Sequence, residues 1–299
     1  MSSTDQIENS SAPLIEHLTE LRTRLIRSVL AFVVGMILCF AVGGMILDFL
    51  LVPIEKTMRA LGNPNPVMQY TAPQEYFFTL VRISMVGGLM LAFPVIATQL
   101  WRFVAPGLYK TEQSAFLPFL IASPVLFLMG AAFAHYVVVP LAMAFFLGFA
   151  DLPSFVSALM ATGDLAAARE DTGIDIVFNG KVNESLDITL KMIVAFGLCF
   201  QLPVLLTLMG KAGLVSAAGL RDVRKYAIIG ILVLAALVTP PDVVTQVILF
   251  VVVYSLYEVS IWLVKSVEKK REDKLREEGF YDDEDEEDPL MKEFEKDDD

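Results

Sequence analysis

Cysteine and histidine are scarce in this 299-residue chain, with two of each. Cys39 and Cys199 stand inside apolar runs with no Cys or His at ligand spacing, which argues against a disulfide framework or a metal site. Both read as small apolar filler. The histidines are His17 and His135, and there is no nucleotide-binding P-loop, no H-E-x-x-H and no G-x-S-x-G. Gly163-Asp164 resembles part of an intramembrane aspartyl site, but it stands in a connection, without a second membrane aspartate. No catalytic residue, metal, cofactor or nucleic-acid partner is therefore expected. The start, MSSTDQIENSSA, is polar, so no secretory signal peptide is expected. It also lacks the Arg-rich look of a transit peptide, which favours a bacterial source.

Apolar sequence is abundant. The chain is 55% hydrophobic, with a mean hydropathy of +0.59. Several runs exceed the roughly 20 residues that cross a bilayer as a helix. They are continuous rather than alternating, which excludes an outer-membrane barrel. The net charge of −12 misleads, because residues 265–299 hold 17 acids against 8 bases. Its distal stretch, DDEDEEDPLMKEFEKDDD, has the like-charge composition of a disordered tail.

Six spans fit: about 25–47, 78–100, 115–147, 188–209, 226–238 and 243–264. An amphipathic segment, PLIEHLTELRTRLI, leads the first, with Ser10 or Ser11 as its N-cap and Pro13 in its first turn. Pro124 and Pro140 predict kinks in the long third span. The fifth run has only 13 residues, roughly 20 Å of helix against a hydrocarbon core of roughly 30 Å. Either the bilayer thins there or the last two spans are re-entrant, so the fifth and sixth are expected to be short. The connection 48–77, with Pro53, Pro64, Pro66 and Pro73, predicts short helices and turns. The expected division is a segment 1–24, a membrane unit 25–264 and an acidic tail 265–299. Lys and Arg cluster on the side of both termini, which the positive-inside rule makes cytoplasmic.

Polar groups inside spans mark solute routes, and here they are few: His135, Gln201, Gln246 and Glu258, with Ser and Thr. The face holding both termini is richer. Glu20 and Glu112 stand beside Leu21, Phe103, Leu108 and Tyr109. A carboxylate next to an apolar shelf can take a guanidinium through a charge-assisted, bidentate bond of about 1.5–3 kcal/mol. It would prefer that planar fork to an ammonium. Simpler readings stand beside these. Glu112 can open the third span, Glu20 can pair with Arg24, and Asp242 can cap the sixth helix. Trp101 fits an interfacial belt, His135 a packing role, and Gln201 a bond to a neighbouring helix of this chain or of another. Glu258 is either snorkelling or paired with a nearby base.

PLIEHLTELRTRLI, FVAPGLYKTE, SPVLFLMGAAFAHYVVVPLA, AFGLCFQLPV and TPPDVVTQ, in that order, resemble the TatC family, the receptor core of the twin-arginine protein translocase. The likeness runs from about Pro13 to Lys265. It implies a bacterial inner-membrane protein that binds twin-arginine signal peptides on folded cargo. Single-span TatA and TatB, further TatC copies and membrane lipid would be its partners, and the proton-motive force its drive. By motif, Glu20 and Glu112 would accept the arginine pair, with Leu21, Arg22, Phe103, Leu108 and Tyr109 shaping the site. Pro53, Gln201, Thr239, Asp242 and Gln246 match positions of function or partner-helix contact. The family often has Glu where this chain has Gln201, which can hydrogen-bond but not titrate. The competing functions are an ion-coupled transporter of a small solute and a membrane scaffold without cargo.

Overall fold

The structure, a computed structural model, describes residues 3–60, 63, 65–104, 117–149, 179–239 and 243–277. They form α1 (Ser3–Ala41), α2 (Gly43–Ala60), β1 (Met68–Gln69), α3 (Glu75–Val104) and α4 (Leu117–Phe133). A π-turn (Ala134–Val138) leads into α5 (Val139–Phe149). Then come β2 (Gly180–Lys181), α6 (Val182–Cys199), α7 (Leu202–Lys211), α8 (Ala217–Asp222), α9 (Arg224–Val238) and α10 (Val243–Glu277).

Five of the described helices are long and apolar enough to cross a membrane: Leu18–Ala41, Glu75–Leu100, Pro118–Gly148, Val182–Lys211 and Val243–Asp273. The expected fifth span, α9, falls short of them with 15 residues, about 22 Å of rise. The expected sixth is not short. α10 runs for 35 residues because nothing in its sequence stops it, and its charged end, EKKRED, is helix-forming. It thereby crosses the expected division at residue 265, while the distal acidic stretch lies outside the described residues. α1 begins at Ser3, ahead of the expected cap at Ser10 or Ser11. In place of short helices, one 18-residue helix, α2, opens the first connection. Its buried residues, Leu47, Leu50, Ile54, Thr57 and Met58, recur at helical spacing.

Lipid-facing and core-facing sides separate cleanly. Ile54, Ala131, Leu186, Met192, Phe196, Leu249 and Val253 are buried and join α2, α4, α6 and α10 in one core. Leu25, Leu30 and Ile37 on α1 are about 60% exposed, as a helix facing acyl chains requires. Several hydroxyls inside the spans close on their own helices: Thr189 donates to Ser185 O (2.9 Å) and Ser84 to Leu80 O (2.6 Å), so these groups do not meet hydrocarbon unpaired.

Glycines set the close crossings. A Cβ on Gly88 would lie 2.6 Å from Met36 N, so α1 rests against α3 at backbone distance. One on Gly130 would lie 2.5 Å from Phe196 O, and one on Gly197 2.8 Å from the Phe127 ring, which seats α4 on α6. Prolines set the breaks. Pro140 has no N–H for Tyr136 O, and the ladder before it widens, Val139 N–H donating to Ala134 O. Likewise Pro203 has none for Cys199 O, and α6 yields to α7 through a turn at Phe200 and Gln201.

The two ends are tied differently. β1 and β2 pair in parallel, Met68 with Gly180 and Gln69 with Lys181, so the first connection is pinned to the start of α6. At the opposite end α10 holds the α7–α9 connection. Ala217 N–H donates to Glu268 Oε1 (3.0 Å), and the Tyr257 hydroxyl to Leu220 O (2.7 Å). Arg224 donates to Glu258 Oε2 (2.6 Å), so Glu258 is paired rather than snorkelling alone.

Candidate functional site

The charged end of α1 lies against the end of α3. Glu20 accepts a charge-assisted hydrogen bond from Arg24 one turn on, and Arg24 also donates to Gln99 O of α3 (3.4 Å). The Arg24 side chain is only 15% exposed and that of Glu20 37%. Arg24 is thus a part-buried strut between two helices, and Glu20 stands at the rim. The i,i+4 pairing open to Glu20 in the sequence is realised, and it leaves the carboxylate half-exposed. Leu21 and Arg22 are exposed beside it. Arg102, in the last turn of α3, is exposed as well.

Phe103 belongs to that last turn by its backbone, and its side chain lies outside the description. Leu108, Tyr109 and Glu112 lie outside the described residues, so their distance from Glu20 is not part of this geometry. Chemically, the described part offers a rim carboxylate oriented by a part-buried arginine, at the end of a strongly apolar helix face.

The residues implied in partner contact are spread over three places. Pro53 is buried inside α2, where its carbonyl accepts from Thr57 (2.9 Å). Gln201 stands at the α6–α7 break and is gripped from both sides. Its Nε2 donates to Ser123 O (2.9 Å) while the Ser123 hydroxyl donates to its Oε1 (2.6 Å). Of its two readings, the bond within the chain is the one observed. Thr239 is buried at the end of α9 and donates to Ala235 O (2.8 Å). Gln246 is half-buried in the first turns of α10. Asp242, with the capping expected of it, lies outside the described residues.

Sequence reasoning did not foresee three features. The role of Arg24 as a tie to Gln99 O depends on a contact 75 positions away. Pairing of Glu258 with a base was one of its two readings, but its partner, Arg224, 34 positions away, was not identified. A cluster of Arg82, Asp187 and Lys191 joins α3 to α6 near the β1–β2 end. The i,i+4 spacing of Asp187 and Lys191 was its visible half.

Comparison with known proteins agrees with this architecture. Residues 16–251 match the family model described as Sec-independent protein translocase protein (TatC). A Sec-independent protein translocase protein TatC from Magnetococcus marinus is 46% identical over 260 residues, covering 87% of this chain and 86% of the relative. One from Aquifex aeolicus is 37% identical over 261 residues, covering 87% and 98%. A crystal structure of the twin arginine translocase receptor TatC superposes with a TM-score of 0.66 at 36% identity. It covers 84% of this chain and 99% of the other.

Proposed function

The chain belongs to the TatC family of Sec-independent protein translocase proteins, and from that premise we propose that it is the receptor for twin-arginine signal peptides. It is an integral membrane protein of the translocase, a transport component rather than an enzyme. The observation that carries the receptor reading is Glu20. A half-exposed carboxylate, oriented by Arg24, stands where the apolar face of α1 ends. A signal peptide presents two guanidinium groups ahead of an apolar run, and these match the carboxylates and the apolar face in that order. Glu20 and Glu112 would take the arginines, with Leu21, Arg22, Phe103, Leu108 and Tyr109 as the surrounding wall.

Assembly with TatA and TatB, and with further copies of the chain, belongs to the same proposal, as does a drive from the proton-motive force. The placement is the bacterial inner membrane with both termini cytoplasmic, supported by the distribution of Lys and Arg. Partner helices would meet the region of α9, the start of α10 and Pro53, with Thr239, Asp242 and Gln246. Gln201 would contribute after exchanging Ser123 for a partner group. The short α9 would thin the bilayer beside it and lower the cost of passage. The solute-transporter alternative requires a central polar cavity, whereas two grooves among the described residues, one along α1 and α3 and one between α3 and α6, are lined mainly by apolar side chains.

The test is binding of a fluorescent signal peptide to the full chain in lipid discs. An Arg-Arg peptide is expected to bind roughly tenfold tighter than its Lys-Lys variant. Glu20→Gln and Glu112→Gln are each expected to reduce that difference. Equal binding of both peptides to every form would remove the receptor reading.

A further inference from the structure

A groove of about 680 Å³ opens between α3, α6 and the end of α9, within the range of small-ligand pockets. Met85, Val86, Leu190, Val194, Leu198 and Leu237 make its walls apolar, and Arg82, Asp187 and Lys191 stand at its mouth. The mouth is unevenly charged. Arg82 and Lys191 share one carboxylate: Arg82 Nη1 lies 3.6 Å from Asp187 Oδ1, and Lys191 Nζ lies 2.6 Å from Asp187 Oδ2. Arg82 Nη1 is further fixed by Asn183 Oδ1 at 2.9 Å. The nearby Glu184 is taken by Lys181 at 3.5 Å. Among the described residues one positive charge is left over, and the two cationic side chains are 49% and 65% exposed.

The depth of this mouth is unusual. Tyr76, Phe77 and Phe78 are exposed at the start of α3, where an aromatic interfacial belt belongs. Arg82 lies about one turn further into the span, and Lys191 one turn beyond Asp187 on α6. Lys191 also lines a small cavity with Leu237, Val238 and Thr239, the last residues at the end of α9. The cations therefore sit level with a helix terminus, inside the depth reached by the longer spans. A cation at that depth needs an anion or water beside it.

The geometry points to a binding site for an anionic phospholipid, its phosphate between Arg82 and Lys191 and one acyl chain in the groove below. The Arg82 fork suits phosphate oxygens, and the neighbouring ammonium adds a point charge. The surplus charge favours a headgroup with net negative charge over a zwitterion. Such a lipid would line the side of the molecule where α9 is short, with its headgroup drawn inward. This inference does not depend on signal-peptide recognition, which lies at the opposite end of α3.

Native mass spectrometry of the full chain in non-ionic detergent tests it, with phosphatidylglycerol and phosphatidylcholine of matched chains added in competition. The wild type is expected to hold phosphatidylglycerol roughly three- to tenfold more tightly. The double variant Arg82→Gln, Lys191→Gln is expected to lose that preference. Asp187→Asn, which removes the competing carboxylate, is expected to increase it. Ala195→Trp, which fills the groove, is expected to weaken both lipids together. Equal binding of the two lipids by wild type would overturn the proposal, as would an unchanged preference in the double variant. So would a cysteine at Leu198 that cross-links to a single-span helix without competition from added phosphatidylglycerol, since the groove would then be a helix seat.

Discussion

At the scale of single residues, the interior of this protein is governed by whether each polar group finds a partner. Gln201 and Ser123 exchange two hydrogen bonds across the α4–α6 crossing. Ser123→Ala leaves one amide oxygen without its donor, and the expected loss is about 0.6 kcal/mol and at most about 1.7, read from unfolding in detergent. A double-mutant cycle with Gln201→Ala isolates the pair. His135 is the converse case. It is buried at the π-turn, stacked on Phe49 with ring centroids 4.5 Å apart, and neither ring nitrogen has a hydrogen-bond partner among the described residues. An imidazole there costs more than a phenyl ring of similar shape. His135→Phe is therefore expected to raise stability by up to about 1–3 kcal/mol, visible as a higher melting temperature. Of the candidate residues, Glu20 and Arg24 were legible as an i,i+4 pair, but burial of the arginine was not. It depends on Gln99, which reaches α1 only through the packing of α3.

At the scale of elements, glycine and proline determine where helices touch and where they break. α1 touches the rest of the molecule chiefly along α3, and Gly88 meets the Met36 backbone at that crossing. Gly88→Leu is expected to push α1 away and cost more than about 1–3 kcal/mol of overpacking. Because Arg24 is anchored on α3, the same variant should also weaken signal-peptide binding. A fall in thermal stability without loss of binding would show that α1 holds Glu20 in place unaided. Both prolines of the third span were visible in the sequence as kink signals, yet only Pro140 is preceded by a π-turn. Pro124 lies inside a continuous α4. The difference lies in how each freed carbonyl is accommodated by neighbouring packing, which a one-dimensional signal does not contain.

Taken whole, the described residues combine five long spans with the shorter apolar helix α9. Arg224 and Glu258 tie its first residue to α10, and Thr239 closes its last turn onto its own Ala235. Inserting four apolar residues into α9 adds about 6 Å. The expected result is loss of cargo transport in membrane vesicles with signal-peptide binding unchanged, because the proposed binding face lies elsewhere. Undiminished transport would remove the role given to local thinning. Glu258→Gln weakens the tie between α9 and α10, with an expected cost of about 1 kcal/mol, since the two side chains are only partly buried.

The amino-acid sequence by itself determined the membrane class, the helical period, most span positions and the family. These rest on composition and local repetition, and each span needs only its own apolar length to enter a bilayer. Only the tertiary structure decided the partner of Glu258, the double grip on Gln201, the strut made by Arg24 and the cation-lined groove between α3 and α6. Each joins residues tens of positions apart, and the helix crossings that bring them together are set by backbone contacts at Gly88, Gly130 and Gly197. A glycine in the sequence permits such an approach. Which helix makes it follows from the packing of the whole bundle.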